Sequence, residues 1–294
     1  MKMKSWLRNK LSRYLNWSWD FGIIEKSLDD IIEGRPFNIR YTNLKPKNRW
    51  FADPFILDYD NDKLSVLCEE MSSEHKKGRI AYLEFDRNSL QLLEWKIIYQ
   101  VNTHLSFPCI ERDENDLFVH PENAHSGNHT IYRYDTVEKK LNSPKVICRD
   151  AVVDAVMLQY ENIDWLFATK NNNTTLYAYV LQGNEYVLKE TIDFHNFDAR
   201  RAGCFFYHKG HLYSPAQDCS KTYGGAVIIQ EVIRQDGRWH FIPIRTLKST
   251  HPSKNFGMHT FNVFKDLVIV DVKGFEHPNL VRFIKRMQSL LQLK

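Results

Sequence analysis

Asp53 lies in Trp50-Phe51-Ala52-Asp53-Pro54-Phe55, at the mouth of an apolar run and ahead of a proline. There it can act as a base or nucleophile, or simply start an Asp-Pro turn. Asp154 is embedded in Ala151-Val152-Val153-Asp154-Ala155-Val156-Met157. A buried, unpaired charge in such a run is costly, so Asp154 faces a polar channel, carries a partner, or occupies a turn or bulge. Two carboxylates on one pocket shift each other's pKa and can divide the roles of base and proton-sharing partner. Glu122 follows Phe118-Val119-His120-Pro121. It reads as an acid, an acceptor for a sugar hydroxyl, or a surface hairpin residue.

The remaining polar candidates fall in short clusters. His104 precedes Leu105-Ser106-Phe107-Pro108, and His259 stands in Gly257-Met258-His259-Thr260-Phe261-Asn262. An isolated histidine is commonly structural, and neither has metal-ligand spacing, so no metal site is expected. His259 and Asn262 are taken as substrate-binding candidates with His104. Arg200 and Arg201 precede Ala202-Gly203, and an arginine aimed at a channel favours a carboxylate or phosphate on the ligand. Gln217 and Asp218, in Ser214-Pro215-Ala216-Gln217-Asp218-Cys219-Ser220, could fix sugar hydroxyls, or Asp218 could pair with Arg201 across the sheet. Tyr223-Gly224-Gly225 reads as a close approach or a bulge.

The elements that must position these residues are short strands. Between about Arg49 and Lys273 the apolar runs are mostly four to six residues long, separated by turn signals such as Asp60-Asn61-Asp62 and Asp236-Gly237. Few helical segments intervene, which argues against a doubly wound α/β fold. A weak repeat is present. Its openings are marked by Asp53, Pro108, Asp154, Gly203 and Thr260, at gaps of 55, 46, 49 and 57 residues. Units near that length that cannot close a core alone point to an all-β, five-bladed β-propeller. The openings would then converge on one central pocket.

The chain of 294 residues is 43% hydrophobic, 26% charged and 13% aromatic. That composition excludes disorder and fibrous repeats, and the aromatics suit β-rich packing and sugar-binding surfaces. A net charge of +4 over this length gives no reason to expect nucleic acid as a partner. Five dispersed cysteines without a CxxC argue against a zinc ribbon or disulfide scaffold and for buried thiols in a reducing, cytoplasmic setting. Residues 1–46 read as a basic amphipathic extension, 47–275 as the propeller, and 276–294 as a C-terminal amphipathic helix. Trp6, Leu7, Leu11, Tyr14 and Leu15 recur at helical spacing, as do Leu280, Phe283, Ile284, Met287, Leu290 and Leu291. Both stretches are flanked by basic residues. Either packs on the main domain or touches an anionic membrane surface, such as the inner face of the membrane. No secretory signal or spanning helix is read.

Phe51-Ala52-Asp53-Pro54-Phe55, His104-Leu105-Ser106-Phe107-Pro108, Pro121-Glu122, Pro215-Ala216-Gln217-Asp218-Cys219-Ser220 and Gly257–Asn262 together resemble the N-terminal domain of glucosamine inositolphosphorylceramide transferases. The resemblance covers about residues 49 to 275. Bacterial stand-alone relatives of that domain often accompany surface-polysaccharide genes. The plant proteins carry a separate glycosyltransferase domain, and none is read here. More distantly the sequence is similar to the five-bladed glycoside hydrolase clan of arabinanases, xylosidases, levansucrases and invertases. That similarity implies Asp53 as base or nucleophile and Asp154 as the aspartate that tunes the acid and orients the substrate. It also implies His259 as a channel histidine near which calcium sometimes binds; no other cofactor is expected. The clan's acid, a glutamate opening the fourth unit, is replaced by Arg200-Arg201-Ala202-Gly203. The implied function is a carbohydrate-active protein of surface polysaccharide or glycolipid biosynthesis, acting on a glycan, glycoside or activated sugar donor. Glycosyl transfer or glycoside processing leads. A glycosidase using Asp53 with Glu122 or Asp218, and a non-catalytic glycan-binding module, are the alternatives.

Overall fold

Charged residues interrupt the apolar runs at nearly regular intervals, so each strand is too short to enclose a core and must stack with its neighbours. The computed structural model describes residues 17–275, apart from 26, 47, 114, 115 and 171, and beyond them only 279–281, 283 and 286. The chain begins with β1 (Trp17–Ile24), a short helix α1 (Leu28–Ile32) and β2 (Arg40–Tyr41). Four consecutive four-stranded sheets follow. The first holds β3 (Arg49–Tyr59), β4 (Lys63–Ser72), β5 (Arg79–Asp86) and β6 (Leu92–Tyr99). The second holds β7 (Ser106–Asp113), β8 (Asp116–Glu122), β9 (His129–Asp135) and β10 (Lys140–Cys148). The third holds β11 (Val153–Tyr160), β12 (Ile163–Thr169), β13 (Thr175–Gln182) and β14 (Glu185–Asp193). The fourth holds β15 (Phe206–His208), β16 (His211–Asp218), β17 (Ala226–Gln235) and β18 (Arg238–Leu247). The last sheet, ordered β19-β20-β1-β2, combines β19 (Phe261–Phe264) and β20 (Leu267–Phe275) with the two N-terminal strands. All strand pairings are antiparallel, and the five sheets are the blades of a β-propeller.

The five sequence markers fall at or just before the first strand of each blade, as the repeat implies. The boundary at residue 47 does not hold. β1 pairs with β20 over Trp17↔Phe275 through Ile24↔Val268, so part of the expected extension is a strand of the fifth blade. The physical reason lies in its residues. Phe21, Ile23 and Ile24 are wholly buried and need a sheet face to cover them. The helical expectation for residues 6–15 lies outside the described residues. Of the C-terminal stretch only 279–281, 283 and 286 are described, as helix, with Val281 buried and Phe283 exposed. Among the described residues, no helix is long and apolar enough to cross a membrane.

Burial falls from the axis outward. β3 is buried over most of its length, whereas β6 and β18 are largely exposed, so first strands read as continuous apolar runs and fourth strands as mixed ones. Aromatic side chains seal blade to blade. Trp239 of β18 meets Trp165 and Phe167 of β12 edge-on, with centroids 5.3 Å apart in both pairs. Near the axis, Gly203 sits where a Cβ would lie 2.2 Å from the Phe261 carbonyl oxygen, so only glycine lets the fourth and fifth blades approach this closely.

Candidate active site

Three blades begin with the same distortion. The β3–β4 register shifts between Ala52 and Phe55, the β7–β8 register between Ser106 and Cys109, and the β11–β12 register between Val153 and Val156. Each shift is a bulge whose first extra residue has positive φ: Asp53 at 51°, Phe107 at 44° and Asp154 at 46°. For a non-glycine residue this is strained backbone, and it turns that residue's N–H and side chain away from the regular pleat. Each N–H finds a carboxylate on the preceding blade. Asp53 donates to Asp271 Oδ2 at 3.2 Å, Phe107 to Asp53 Oδ2 at 3.2 Å, and Asp154 to Glu122 Oε2 at 3.3 Å. The bulges and the carboxylates therefore hold one another around the axis.

Five carboxylates, Asp53, Glu69, Glu122, Asp154 and Asp271, interact electrostatically here with Arg200 and His259. They cannot all ionise side by side out of water. Burial, helped by Asp271 and Asp154, pushes Asp53 up to about 7 against the pull of His259. Burial also raises Glu69 well above the ordinary carboxylate range, reinforced by Asp53 and Glu122. Glu122 is raised well above that range by burial and then by Asp154. Asp271 behaves in the opposite way. Burial works against its charge, but His259 and backbone N–H donors outweigh that and hold it below its usual value. Its Oδ1 accepts from the N–H groups of His259 and Thr260 at 2.9 and 3.0 Å, and His259 Nδ1 lies 2.6 Å from Oδ2. Burial opposes protonation of His259, yet Asp271 and Asp53 raise its pKa above the ordinary value. His259 Nε2 is 3.5 Å from Asp53 Oδ1, which completes an Asp53–His259–Asp271 relay.

The histidine is held by its surroundings. Trp19 of β1 stacks on the imidazole at 4.3 Å, Tyr223 meets it edge-on at 5.5 Å, and the Gly224 backbone (φ 60°) packs against its Cβ. The close approach read from Tyr223-Gly224-Gly225 is thus real. Opposite the histidine, Asp154 accepts from Arg200 Nε and, at 2.7 Å, from Gln217 Nε2. Arg200 Nη2 also lies 3.6 Å from Glu122 Oε2, and its guanidinium covers the Tyr223 ring at 5.0 Å.

Asp53, Asp154, Glu122, Arg200, Gln217 and His259 are thus brought together. His104 stands at the edge of the cluster, with Nε2 3.2 Å from Glu69 Oε1 and Nδ1 accepting from the Gly78 N–H. Asn262 is a tie between blades, donating to the Pro54 carbonyl and accepting from the Cys204 N–H. Two expectations fail. Arg201 does not face the channel. It is wholly buried in the fourth blade, where it donates to the Asp198 and Ala199 carbonyls, Ser214 Oγ and Gln230 Oε1. Burial lowers its pKa to about 9. Both arginines precede β15; the isolated bridge Arg201↔Ala216 ties Arg201 into the blade, while Arg200 reaches Asp154 at the axis. Asp218 binds the Ser220 N–H and hydroxyl in its own turn and does not pair with Arg201. Glu69 and Asp271 were not read from the sequence. Both come from second strands, in Leu67-Cys68-Glu69-Glu70 and Val270-Asp271-Val272, and the signal was the one used for Asp154, a charge inside an apolar run.

The calcium implied near His259 does not fit these residues. Asp53, His259 and Asp271 offer ligand atoms within 4.8 Å of one another. Calcium takes about six to eight oxygen ligands, and Asp271 already receives three N–H donors and faces the imidazole. What the set can do is acid–base chemistry. Asp53 is a base poised near neutrality, and burial biases Glu69 and Glu122 toward their protonated form.

The propeller fold has counterparts among solved structures. A family-43 glycoside hydrolase described as thermostable superposes with a TM-score of 0.51 at 12% identity, over 69% of this chain and 77% of that one. A GH43_1 enzyme from Xanthomonas citri gives 0.51 at 11% identity, over 76% and 87%. At such identities the likeness is one of fold. In sequence, the glucosamine inositolphosphorylceramide transferase 1 of Oryza sativa subsp. japonica is 27% identical over 205 residues, and that of Arabidopsis thaliana 26% over 208. These alignments take in 64% and 65% of this chain but 26% of each relative, so the chain spans about a quarter of their length. The model of the glucosamine inositolphosphorylceramide transferase 1 N-terminal family matches residues 40–255, a span that takes in the motifs around Asp53, Glu122 and Gln217, and the chain belongs to this family.

Proposed function

We propose that this chain is a carbohydrate-active propeller of surface polysaccharide or glycolipid biosynthesis. It accepts a glycosyl unit at the axial cluster and transfers or cleaves it by acid–base chemistry. The observation that carries this reading is the division of protonation states within one channel, with Asp53 near 7 and Glu122 held well above the usual carboxylate range. Glycosyl chemistry needs this pair, one carboxylate to attack or deprotonate and one carboxylic acid to protonate the leaving oxygen. Asp154, fixed by Arg200 and Gln217, orients the sugar and tunes Glu122. Among the described residues Gln217 Oε1 is buried without a hydrogen-bond partner, an acceptor suited to a sugar hydroxyl.

The charge of the site revises which donor is favoured. Arg200, the guanidinium of the cluster, is engaged by Asp154, and the raised His259 is engaged by Asp271. A phosphate would find the Arg200 guanidinium already engaged by Asp154 and close to Glu122, whereas a neutral glycoside that develops positive charge at its ring would be stabilised by the ionised carboxylates. Glycoside processing or transfer between glycans therefore suits the pocket better than use of a sugar phosphate. The reading is tested by NMR-monitored turnover of a panel of pyranosides, furanosides, nucleotide sugars and sugar phosphates, beside Asp53→Asn and Glu122→Gln. Release or transfer of sugar from neutral glycosides, lost in both variants, is expected. Consumption of only the phosphorylated donors would overturn the electrostatic argument.

A second reading, a non-catalytic glycan-binding module, is favoured by Arg200 where the similar hydrolases carry a glutamate. Binding without turnover in wild type and both variants is its signature.

A further inference from the structure

A second polar cluster lies on the inner strands, apart from the carboxylates. Cys109 and Glu111 are two residues apart on β7, and Cys109 stands directly opposite His120 of β8. Residues i and i+2 of a strand and the cross-strand partner share one face, so a single hairpin presents all three groups together. Their ligand atoms lie within 4.8 Å of one another. Cys204, just ahead of β15 in the fourth blade, brings its Sγ to 3.1 Å from Cys109 Sγ. Behind the histidine, His120 Nδ1 is 2.9 Å from His129 Nε2, and both rings are buried.

We propose that Cys109, Cys204, His120 and Glu111 form a binding site for a thiophilic divalent cation, Zn²⁺, that joins the second and fourth blades. The donor set is two sulfurs, one imidazole nitrogen and one carboxylate oxygen, the mixture that tetrahedral zinc takes. The spacing agrees. A tetrahedron with Zn–S near 2.3 Å and Zn–N or Zn–O near 2.1 Å has edges of roughly 3.4–3.8 Å. The Cys109 Sγ–Cys204 Sγ separation is 3.1 Å, Cys109 Sγ–Glu111 Oε1 is 3.8 Å, and His120 Nε2–Glu111 Oε1 is 3.2 Å. Cys109, Glu111 and His120 already form one close group, and Cys204, whose Sγ touches that of Cys109, completes the tetrahedron by a rotation of its side chain. Ligation through His120 Nε2 puts the proton on Nδ1, which donates to His129 Nε2. His129 is thereby the outer partner that fixes the tautomer. The sequence hid this site because its ligands, Cys-x-Glu with His120 and a cysteine 95 residues after the first, match no linear zinc pattern.

Zinc binds cysteine as the thiolate, so its ligands must give up protons. Metal uptake therefore releases protons, and affinity falls as pH is lowered.

The test uses the full chain without a histidine tag, washed with chelator under reducing conditions and checked for folding by circular dichroism. Zn²⁺ alone is titrated in, and Co²⁺ is used as a spectroscopic stand-in. One Zn²⁺ per chain, a thiolate-to-cobalt charge-transfer band, and protection of two thiols from alkylation are expected. Cys109→Ser and Cys204→Ser should each abolish the band, and His129→Gln should weaken binding about 10–100-fold. Asp53→Asn should bind as wild type does, which separates this site from the axial carboxylates. Cys204 is only half-buried, so its variant serves if Cys109→Ser does not fold. The proposal is overturned if folded wild type takes up no Zn²⁺, if Cys204→Ser binds as tightly as wild type, or if the purified chain carries a Cys109–Cys204 disulfide in intact-mass analysis.

Discussion

The Phe107 backbone N–H donates to Asp53 Oδ2 across the boundary between the first and second blades, at 3.2 Å. The donor belongs to one strained residue and the acceptor to another, since both have positive φ. A phenylalanine in that conformation is sustained by its surroundings: its ring is buried and meets Phe55 edge-on at 4.9 Å. The contact aims Asp53 Oδ2 at the neighbouring blade and leaves Oδ1 toward His259. Orientation of the central carboxylate is thus set by backbone.

Asp53→Asn keeps an acceptor for the Phe107 N–H and removes the base. Turnover should fall by about 10²–10⁴-fold with the fold intact. Initial rates beside circular dichroism spectra check this; a variant that retains most of its activity contradicts the assignment.

Activity should rise with pH through about 7, because Asp53 must lose its proton to act and burial holds that proton on until then. The same limb should be missing from the residual activity of Asp53→Asn. An initial-rate profile flat between pH 6 and 8 in the wild type would exclude Asp53 as the titrating base.

Stability should move the other way. Asp53, Glu69 and Glu122 hold protons more tightly folded than unfolded, so the native state binds more protons once pH passes the unfolded carboxylate values. Their contribution is full below about 4 and is lost as pH rises through their folded values. His259, also raised, loses its contribution on the same upward path, whereas depressed Asp271 loses its own only as pH falls. Thermal midpoints should therefore be higher at pH 5 than at pH 8, with Glu69→Gln flattening the difference. Equal midpoints at both values would argue that the carboxylates are hydrated.

The two adjacent arginines should separate cleanly. Arg201→Met strands two carbonyls, Ser214 and Gln230 in the blade interior and should cost on the order of 3 kcal/mol. Arg200→Gln keeps a donor for Asp154 and should melt closer to wild type while losing turnover. Denaturant unfolding paired with rate measurements decides; the reverse assignment would show the opposite pattern.

The architecture was largely legible in the sequence because a propeller repeats one local problem. Each blade needs a short apolar strand at the axis, and each opening leaves a small or polar mark, from Asp53 to Thr260. Asp53 and Asp154 were readable for the same reason. Glu69 and Asp271 were not: each is a charge inside an apolar run, but nothing ties a second-strand position to the axis until its register with the bulge is known. Arg200 and Arg201 are indistinguishable as letters; only the bridge from Arg201 to Ala216 tells the buried one from the axial one. β1 was passed over because its partner, β20, lies some 240 residues away, and no local pattern announces a contact at that distance.

That distance has a kinetic meaning. Trp19 stacks on His259, and His259 contacts Asp271, so one wall of the site is assembled from opposite ends of the propeller. Pairings so remote in sequence form late, because a long loop must close before any contact rewards it. Four blades can fold as they emerge from the ribosome. The fifth waits for β20 to arrive and for β1, made before the other four blades, to be recaptured. The pocket is therefore the last part of the molecule to mature, and a nascent or clipped chain with four sound blades would still be chemically silent.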